Sequence, residues 1–420
     1  MQHRGGRMSH VSLRQAWTAV ALTGVLALGL AACGGDDSEG GGGDSSGPIR
    51  IGSSLPLTGE FSQPGQAAKQ GYEVWQEMVN DAGGLLGREV ELVVKDDASN
   101  QNTVVTDYNA LISQDKVDLL LGTFSSLLNL PASAVAEKNQ MLYVEPAGGS
   151  PDMFNRGFKY LFFTQQATSN LQGKVFAEWV AALPEDQRPK TAAYPTLDDP
   201  FAAPNVAGIQ EILEAAGVET VYQETYAIDT KNFDTIVNAM KNADPDLVVH
   251  GAQFEDGIGL TRSMLKADFT PGMFYETNAP SFGAQYSDGI GMENTEGVIY
   301  AVSHSPEADT PGNAEFVAKY KEMFGTDEVP EDAADGYAAA QVMQAAVEAV
   351  GNIDDQEAMA SWLRENEVDT ILGSLSWDET GAPTGEFLIG QWQNGKPEIV
   401  LPADVSTADI EPGWHPGAGG

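Results

Sequence analysis

From Ile49 onward, short apolar runs of strand character alternate with segments whose apolar positions recur at helical spacing. Ile49–Ser53, Glu89–Lys95, Val117–Leu121 and Met141–Val144 predict strands. Gly65–Val79, Thr103–Ser113 and Leu127–Lys138 predict the helices between them, the first stopped by Asn80-Asp81-Ala82-Gly83-Gly84. The pattern then restarts. Strands are expected at Thr191–Tyr194, Glu219–Tyr226, Leu247–His250 and Gly272–Tyr275, with helices at Pro204–Ala216, Phe233–Asn242 and Asp256–Ala267. Apolar strands separated by helices imply parallel sheets covered on both faces. The expected fold class is α/β, with two doubly wound parallel-sheet lobes. Such units present their binding loops at the carboxyl ends of the strands, so a cleft between two facing edges is the candidate site.

Beyond these halves, Ala314–Phe324, Ala333–Val350 and Gln356–Asn366 predict helices. Ser374–Trp377 and Glu386–Trp392 predict strands joined by Asp378-Glu379-Thr380-Gly381, and the Pro/Gly/acid-rich tail from Pro402 reads as loosely attached. Trp75, Trp179, Trp362, Trp377 and Trp392 are expected in cores and interfaces.

The 420 residues exceed one ordinary domain. Asp and Glu number 61 against 22 Lys and Arg, a net charge of −39. That balance excludes partners whose phosphates need neutralising, nucleic acid first among them, and disfavours adsorption to anionic lipid. A lone cysteine, Cys33, excludes a disulfide framework. No metal or cofactor is expected, since the histidines of the body are far apart. The acid pairs Asp96-Asp97, Asp198-Asp199 and Asp354-Asp355 read as solvated loops.

Enzyme signatures fail on inspection. Ser113-Gln114-Asp115-Lys116 and Ser263-Met264-Leu265-Lys266 satisfy S-x-x-K, but the S-D-N and K-T-G elements are missing. There is no H-E-x-x-H, phosphate loop or dinucleotide fingerprint, and the one G-x-S-x-G match, Gly43-Asp44-Ser45-Ser46-Gly47, falls in a Gly/Ser/acidic stretch with no strand pattern before it or helix pattern after it. The chain is expected not to be an enzyme.

The amino end says where the protein resides. Arg4, Arg7 and Arg14 precede an uncharged apolar stretch, Trp17 to Ala32, shorter than the roughly 20 residues a spanning helix needs. This is the form of an export signal. Leu30-Ala31-Ala32-Cys33 resembles the lipobox of bacterial lipoproteins, in which the cysteine is lipidated and becomes the new amino terminus. Residues 34–47 contain only Gly, Ser, Asp and Glu, the composition of a flexible tether. The expectation is a lipid-anchored, extracytoplasmic body: 1–32 as signal, 33–47 as tether, lobe 1 from 48–163 and 302–377, lobe 2 from 164–301 and 378–400, and 401–420 as tail.

Ile49-Arg50-Ile51-Gly52 with Leu55-Pro56-Leu57-Thr58-Gly59 is similar to the opening of the leucine/isoleucine/valine-binding proteins. So are Gly83-Gly84-Leu85-Leu86-Gly87 before Asp96-Asp97, Gly122-Thr123-Phe124-Ser125-Ser126, and Asp198-Asp199-Pro200-Phe201. Tyr226 with Asn232-Phe233-Asp234, Pro245-Asp246-Leu247-Val248-Val249 and Trp377-Asp378-Glu379-Thr380-Gly381 continue the match in order, from Ile49 to Val400. The resemblance implies the two-lobed type I periplasmic fold and the solute-binding component of an ABC importer. Its implied partners are a small solute, permease subunits and a membrane reached through the anchor, with the body a monomer. Branched-chain or other amino acids lead; aromatic or aliphatic acids and amides, or a ligand-sensing subunit of the same fold, are the alternatives.

The same resemblance implies site residues. Ser126 takes the place of a serine that grips a ligand carboxylate at a helix amino terminus, where free N–H groups favour an anion. A plain helix cap is its bland alternative. Ala147, Gly148 and Gly149 follow the fourth strand, where the family offers backbone amides; Gly149 stands in for a threonine hydroxyl. A turn needing positive φ would also explain either glycine. Phe201, and Gln253 or Phe254, align with aromatics closing over the ligand, and Phe61 lies on the first loop. The family's acidic partner for an ammonium falls at Thr277, with Glu276 adjacent. Ser99 and Ser125 stand where its disulfide would be.

Overall fold

Short apolar runs with no polar alternation are buried on both faces, as at Leu119–Leu121, Tyr143–Glu145 and Leu161–Phe163, whereas Val90–Asp96, at the sheet edge, is largely half-buried. The computed structural model describes residues 47–411 and 413–418; the leader, Cys33 and most of the tether lie outside them. Five strands form the first sheet: β1 Ile49–Leu55, β2 Val90–Asp96, β3 Leu119–Leu121, β4 Tyr143–Glu145 and β5 Leu161–Phe163, ordered β2-β1-β3-β4-β5. All its pairings are parallel.

The second sheet contains β6 Thr191–Leu197, β7 Glu219–Tyr226, β8 Leu247–His250, β9 Met273–Glu276 and β10 Ile299–Val302. A hairpin, β11 Val368–Thr370 with β12 Gly373–Leu375, stands apart; β13 Leu388–Gln393 and β14 Lys396–Leu401 complete the second sheet. Its order is β14-β13-β10-β9-β8-β6-β7. The parallel part repeats the order of the first sheet, but β13 and β14 run antiparallel, so this lobe is mixed at one edge. Both sheets therefore have a switch point beside their first strand, where loops to either side diverge and leave a crevice.

The chain passes between the sheets after β5, after β10 and between β12 and β13. Beyond β10, Phe316 and Tyr320 of the helix Asn313–Phe324 join the first core, as do Leu375 and Trp377. Trp377 donates its indole N–H to the Phe163 carbonyl at 2.6 Å, tying two of the passages together.

One helix pair matters for the site. Glu331–Val350 packs along Ser62–Asp81 with backbones nearly touching: a Cβ on Gly71 would fall 2.0 Å from the Ala333 carbonyl, and one on Gly336 2.6 Å from that of Ala68. Only glycine permits that approach. It presses the acidic amino end of Glu331–Val350 into the interior.

The tail departs from expectation. Trp414 is buried against Phe274, ring centres 5.1 Å apart, and donates to the Asn294 carbonyl at 2.8 Å. One large aromatic side chain supplies enough apolar area to hold an otherwise polar segment.

Candidate functional site

The carboxyl edges of the two sheets border a common cavity with about 520 Å³ of space free of protein atoms, its opening included. From the first sheet come Phe124 and Ser125 after β3, Ala147 and Gly149 after β4, and Gln165 after β5. From the second come Phe201 after β6, Gln253 after β8, Thr277 after β9, and Ser303 after β10. Glu331, Asp332 and Asp335 enter from their helix, and Phe387 from the last passage.

Of the residues inferred from sequence, Ala147, Gly149, Phe201, Gln253 and Thr277 are brought together in this lining. Phe201 is fixed by its N–H, which donates to Asp199 Oδ1 at 2.8 Å. Gln253 accepts from Asn278 at 2.7 Å through Oε1. Thr277 uses its hydroxyl to bridge both backbone groups of Ala252, at 2.9 and 2.7 Å, so it shapes the wall.

The others sit elsewhere. Ser126 is fully buried, and its hydroxyl accepts the Ser150 N–H at 3.0 Å, clamping the loops after β3 and β4. Ser125, one residue earlier, is the serine that lines the cavity: its Oγ is buried with no hydrogen-bond partner, and its φ is +66°. Gly148 is not part of the lining, and a Cβ there would fall 2.6 Å from Glu145 Oε1. Neither Gly148 nor Gly149 has positive φ, so close packing, not a special turn, explains Gly148. Phe61 packs on Phe124, ring centres 5.7 Å apart, and Phe254 on Phe282 at 4.5 Å. Glu276 does not face the cavity. Its Oε1 pairs with His250 Nδ1 at 2.8 Å, and His250 Nε2 in turn meets the Tyr226 hydroxyl at 2.7 Å. The Tyr226 hydroxyl also donates to Asp256 Oδ2 at 2.5 Å.

Two acid pairs are half internal, contrary to a solvated reading. Asp97 accepts from the Ser99 N–H at 2.8 Å, and Asp199 from those of Phe201 and Ala202 at 2.8 and 3.1 Å. Each carboxylate holds a turn whose buried amides need an acceptor. Burial raises Asp97 to about 6.

Glu331, Asp332 and Asp335 carried no signal that distinguished them from an ordinary acidic first turn. Glu331 accepts from the Ser303 N–H and hydroxyl, both at 3.0 Å, and Asp335 from Gln165 Nε2 at 2.6 Å. Burial raises all three, Asp332 to about 7, and like charge pushes Asp335 further. Among the described residues, no group of His, Cys, Asp or Glu side chains is arranged to hold a metal ion.

A family model described as periplasmic binding protein matches residues 48–397. The chain belongs to this family. It is 28% identical over 357 residues to the Leu/Ile/Val-binding protein homolog 3 of Brucella melitensis, covering 83% of this chain and 92% of that one. Its fold superposes on a leucine binding protein, LivK, of Thermotoga maritima with a TM-score of 0.74 at 22% identity, covering 85% of this chain and 100% of that one. A solute binding protein of an R. palustris ABC transporter, solved with benzoate, gives 0.74 at 19% identity, with 89% and 99% covered. This periplasmic binding protein thus has the two-lobed fold expected of it, and its cavity lies where loops of both sheets meet.

Proposed function

We propose that this protein captures a small polar solute, an amino acid by preference, in the cavity between its lobes and delivers it to the permease of an ABC importer. The observation that carries this reading is the lining itself, which draws on the strand ends of both sheets. A solute touching both walls favours the closed arrangement over an open one, which is the basis of capture by population shift. Similarity to the Leu/Ile/Val-binding homologue supports an amino acid. Phe124, Phe201 and Phe387 in the lining, with the likeness to the benzoate-bound protein, favour aromatic acids as the second reading.

In this reading the body is monomeric and is held outside the cell membrane by a lipid on Cys33 and the tether that follows. The three passages between the sheets act as a hinge. A thermal-shift screen of amino acids, aromatic acids, amides and ureas identifies the solute class. Small-angle scattering should then show a smaller radius of gyration with the solute than without it. An unchanged radius at saturation would sink the closure mechanism.

A further inference from the structure

We propose that the solute carries a protonated amine, and that this ammonium sits against Glu331, Asp332 and Asp335. The inference rests on the solute-binding reading of the cavity and names the chemistry of what is bound. Three carboxyl groups within five residues of one helix line the same wall. Asp332 and Asp335 are 9% and 2% exposed, and Asp335 Oδ1 is buried without any hydrogen-bond partner.

None of the ion pairs among the described residues includes any of the three. Their donors are neutral: Ser303 for Glu331 and Gln165 for Asp335. Buried carboxyls ordinarily occur paired with a cation or a metal, because an unpaired charge away from water is costly. Among the described residues no side-chain group is arranged to hold a metal ion, and an organic cation arriving with the solute would supply the partner these acids lack. Helix capping does not account for the cluster, since the hydrogen bonds above reach across to other segments and not to the helix's own amides. Burial disfavours the charged form of these groups, and an entering ammonium would favour it.

The opposite wall supplies the complement. Ser125 Oγ is an unpartnered donor at the amino end of the helix Ser126–Lys138. A carboxylate suits that place, as hydroxyl and helix terminus both favour negative charge. The two ends together describe a zwitterion, ammonium toward Asp335 and carboxylate toward Ser125, with Phe201 and Phe387 beside the apolar part. Phenyl rings in the same lining add attraction for a cation where their faces are presented.

Three matched series test this on the full chain by calorimetry: L-leucine and L-phenylalanine; isoamylamine and phenethylamine, which lack the carboxylate; 4-methylpentanoate and 3-phenylpropanoate, which lack the amine. At least one amine-bearing probe should bind ten or more times tighter than its deaminated counterpart. Asp335→Asn and Glu331→Gln, which keep side-chain volume, should remove most of that preference, and Asp332→Asn should reduce it. Cooperative melting of each unliganded variant shows that it has folded. Tighter binding of the deaminated acids, or a preference untouched in Asp335→Asn, would overturn the ammonium site while leaving solute capture intact. If no probe of the three series binds at millimolar concentration, the proposal also falls; the broader screen of amides, ureas and aromatic acids then judges solute capture separately.

Discussion

Lys231 Nζ lies 2.9 Å from Glu60 Oε1, joining the loop after β7 to the loop after β1. One residue belongs to each lobe, so the pair bridges the two sides. Both side chains are well exposed, at 68% and 40%, so its contribution is about 0–1 kcal/mol and screened by salt. Lys231→Glu replaces attraction by repulsion. It should speed solute release roughly twofold to fivefold at low ionic strength, and stopped-flow measurements should find the difference fading in high salt.

Ser125 and Ser126 have opposite duties, and their variants should separate. Ser125 has a φ of +66°, a conformation that strains any residue but glycine by about 1–3 kcal/mol. Ser125→Gly should therefore raise the melting temperature of the unliganded chain while weakening binding of an anionic solute group. Ser126→Ala strands the buried Ser150 N–H and should lower stability by about 1–3 kcal/mol. Melting and calorimetry on both variants check this; a Ser125→Gly variant with unchanged affinity would remove that hydroxyl from the site.

The contrast shows where sequence reasoning reached its limit. Strands such as Leu247–His250 were legible because a short, wholly apolar run has few other places to go. β5, whose three residues give no periodicity, carries no strand prediction. A one-residue difference at the turn after β3 decided which serine faces the cavity, and backbone torsion, not composition, sets that. The acids at 331, 332 and 335 gave no signal in the sequence because nothing local betrays Gly71 and Gly336, at which two helix backbones come together. Trp414 was hidden in the same way by the Gly and Pro around it.

Cys33 ends a lipobox-like stretch and precedes the tether. Cys33→Ser should release the protein into the soluble extracytoplasmic fraction, and mass spectrometry of the wild type should find an acyl modification at that residue. A variant that stays membrane-bound, beside an unmodified wild type, contradicts the anchor.

The buried acids make stability depend on pH in a stated direction. Asp332 is raised to about 7, and Glu331 and Asp335 are also raised, all by burial first. The folded chain thus holds protons that the unfolded chain has released. Their contribution is complete below the ordinary carboxyl range and is lost as pH rises through about 7. The unliganded melting temperature should fall between pH 5 and pH 8, more steeply than in Asp332→Asn. Affinity for an amine should move the other way over that interval, because binding expels these protons. Calorimetry in buffers of different ionisation enthalpy measures the release directly.

Glu276 gives the sharpest comparison with Asp335. Both are buried acids near the cavity, but Glu276 is committed to His250 at 2.8 Å and lies in a chain running through Tyr226 to Asp256. Glu276→Gln keeps the shape and exchanges an acceptor for an amide that can still accept once. It should lower stability by about 1–3 kcal/mol, since the Tyr226–His250 network loses its carboxyl partner. The ratio of affinities for an amine and its deaminated counterpart should stay within about twofold of wild type, because the Glu276 side chain does not reach the lining. In Asp335→Asn the same ratio should collapse with little loss of stability, as a neutral amide relieves an unpaired buried acid. If the two variants exchanged these behaviours, with Glu276→Gln abolishing amine preference and Asp335→Asn only destabilising, the ammonium would belong with Glu276 and the cavity would have to open toward His250 when the solute enters.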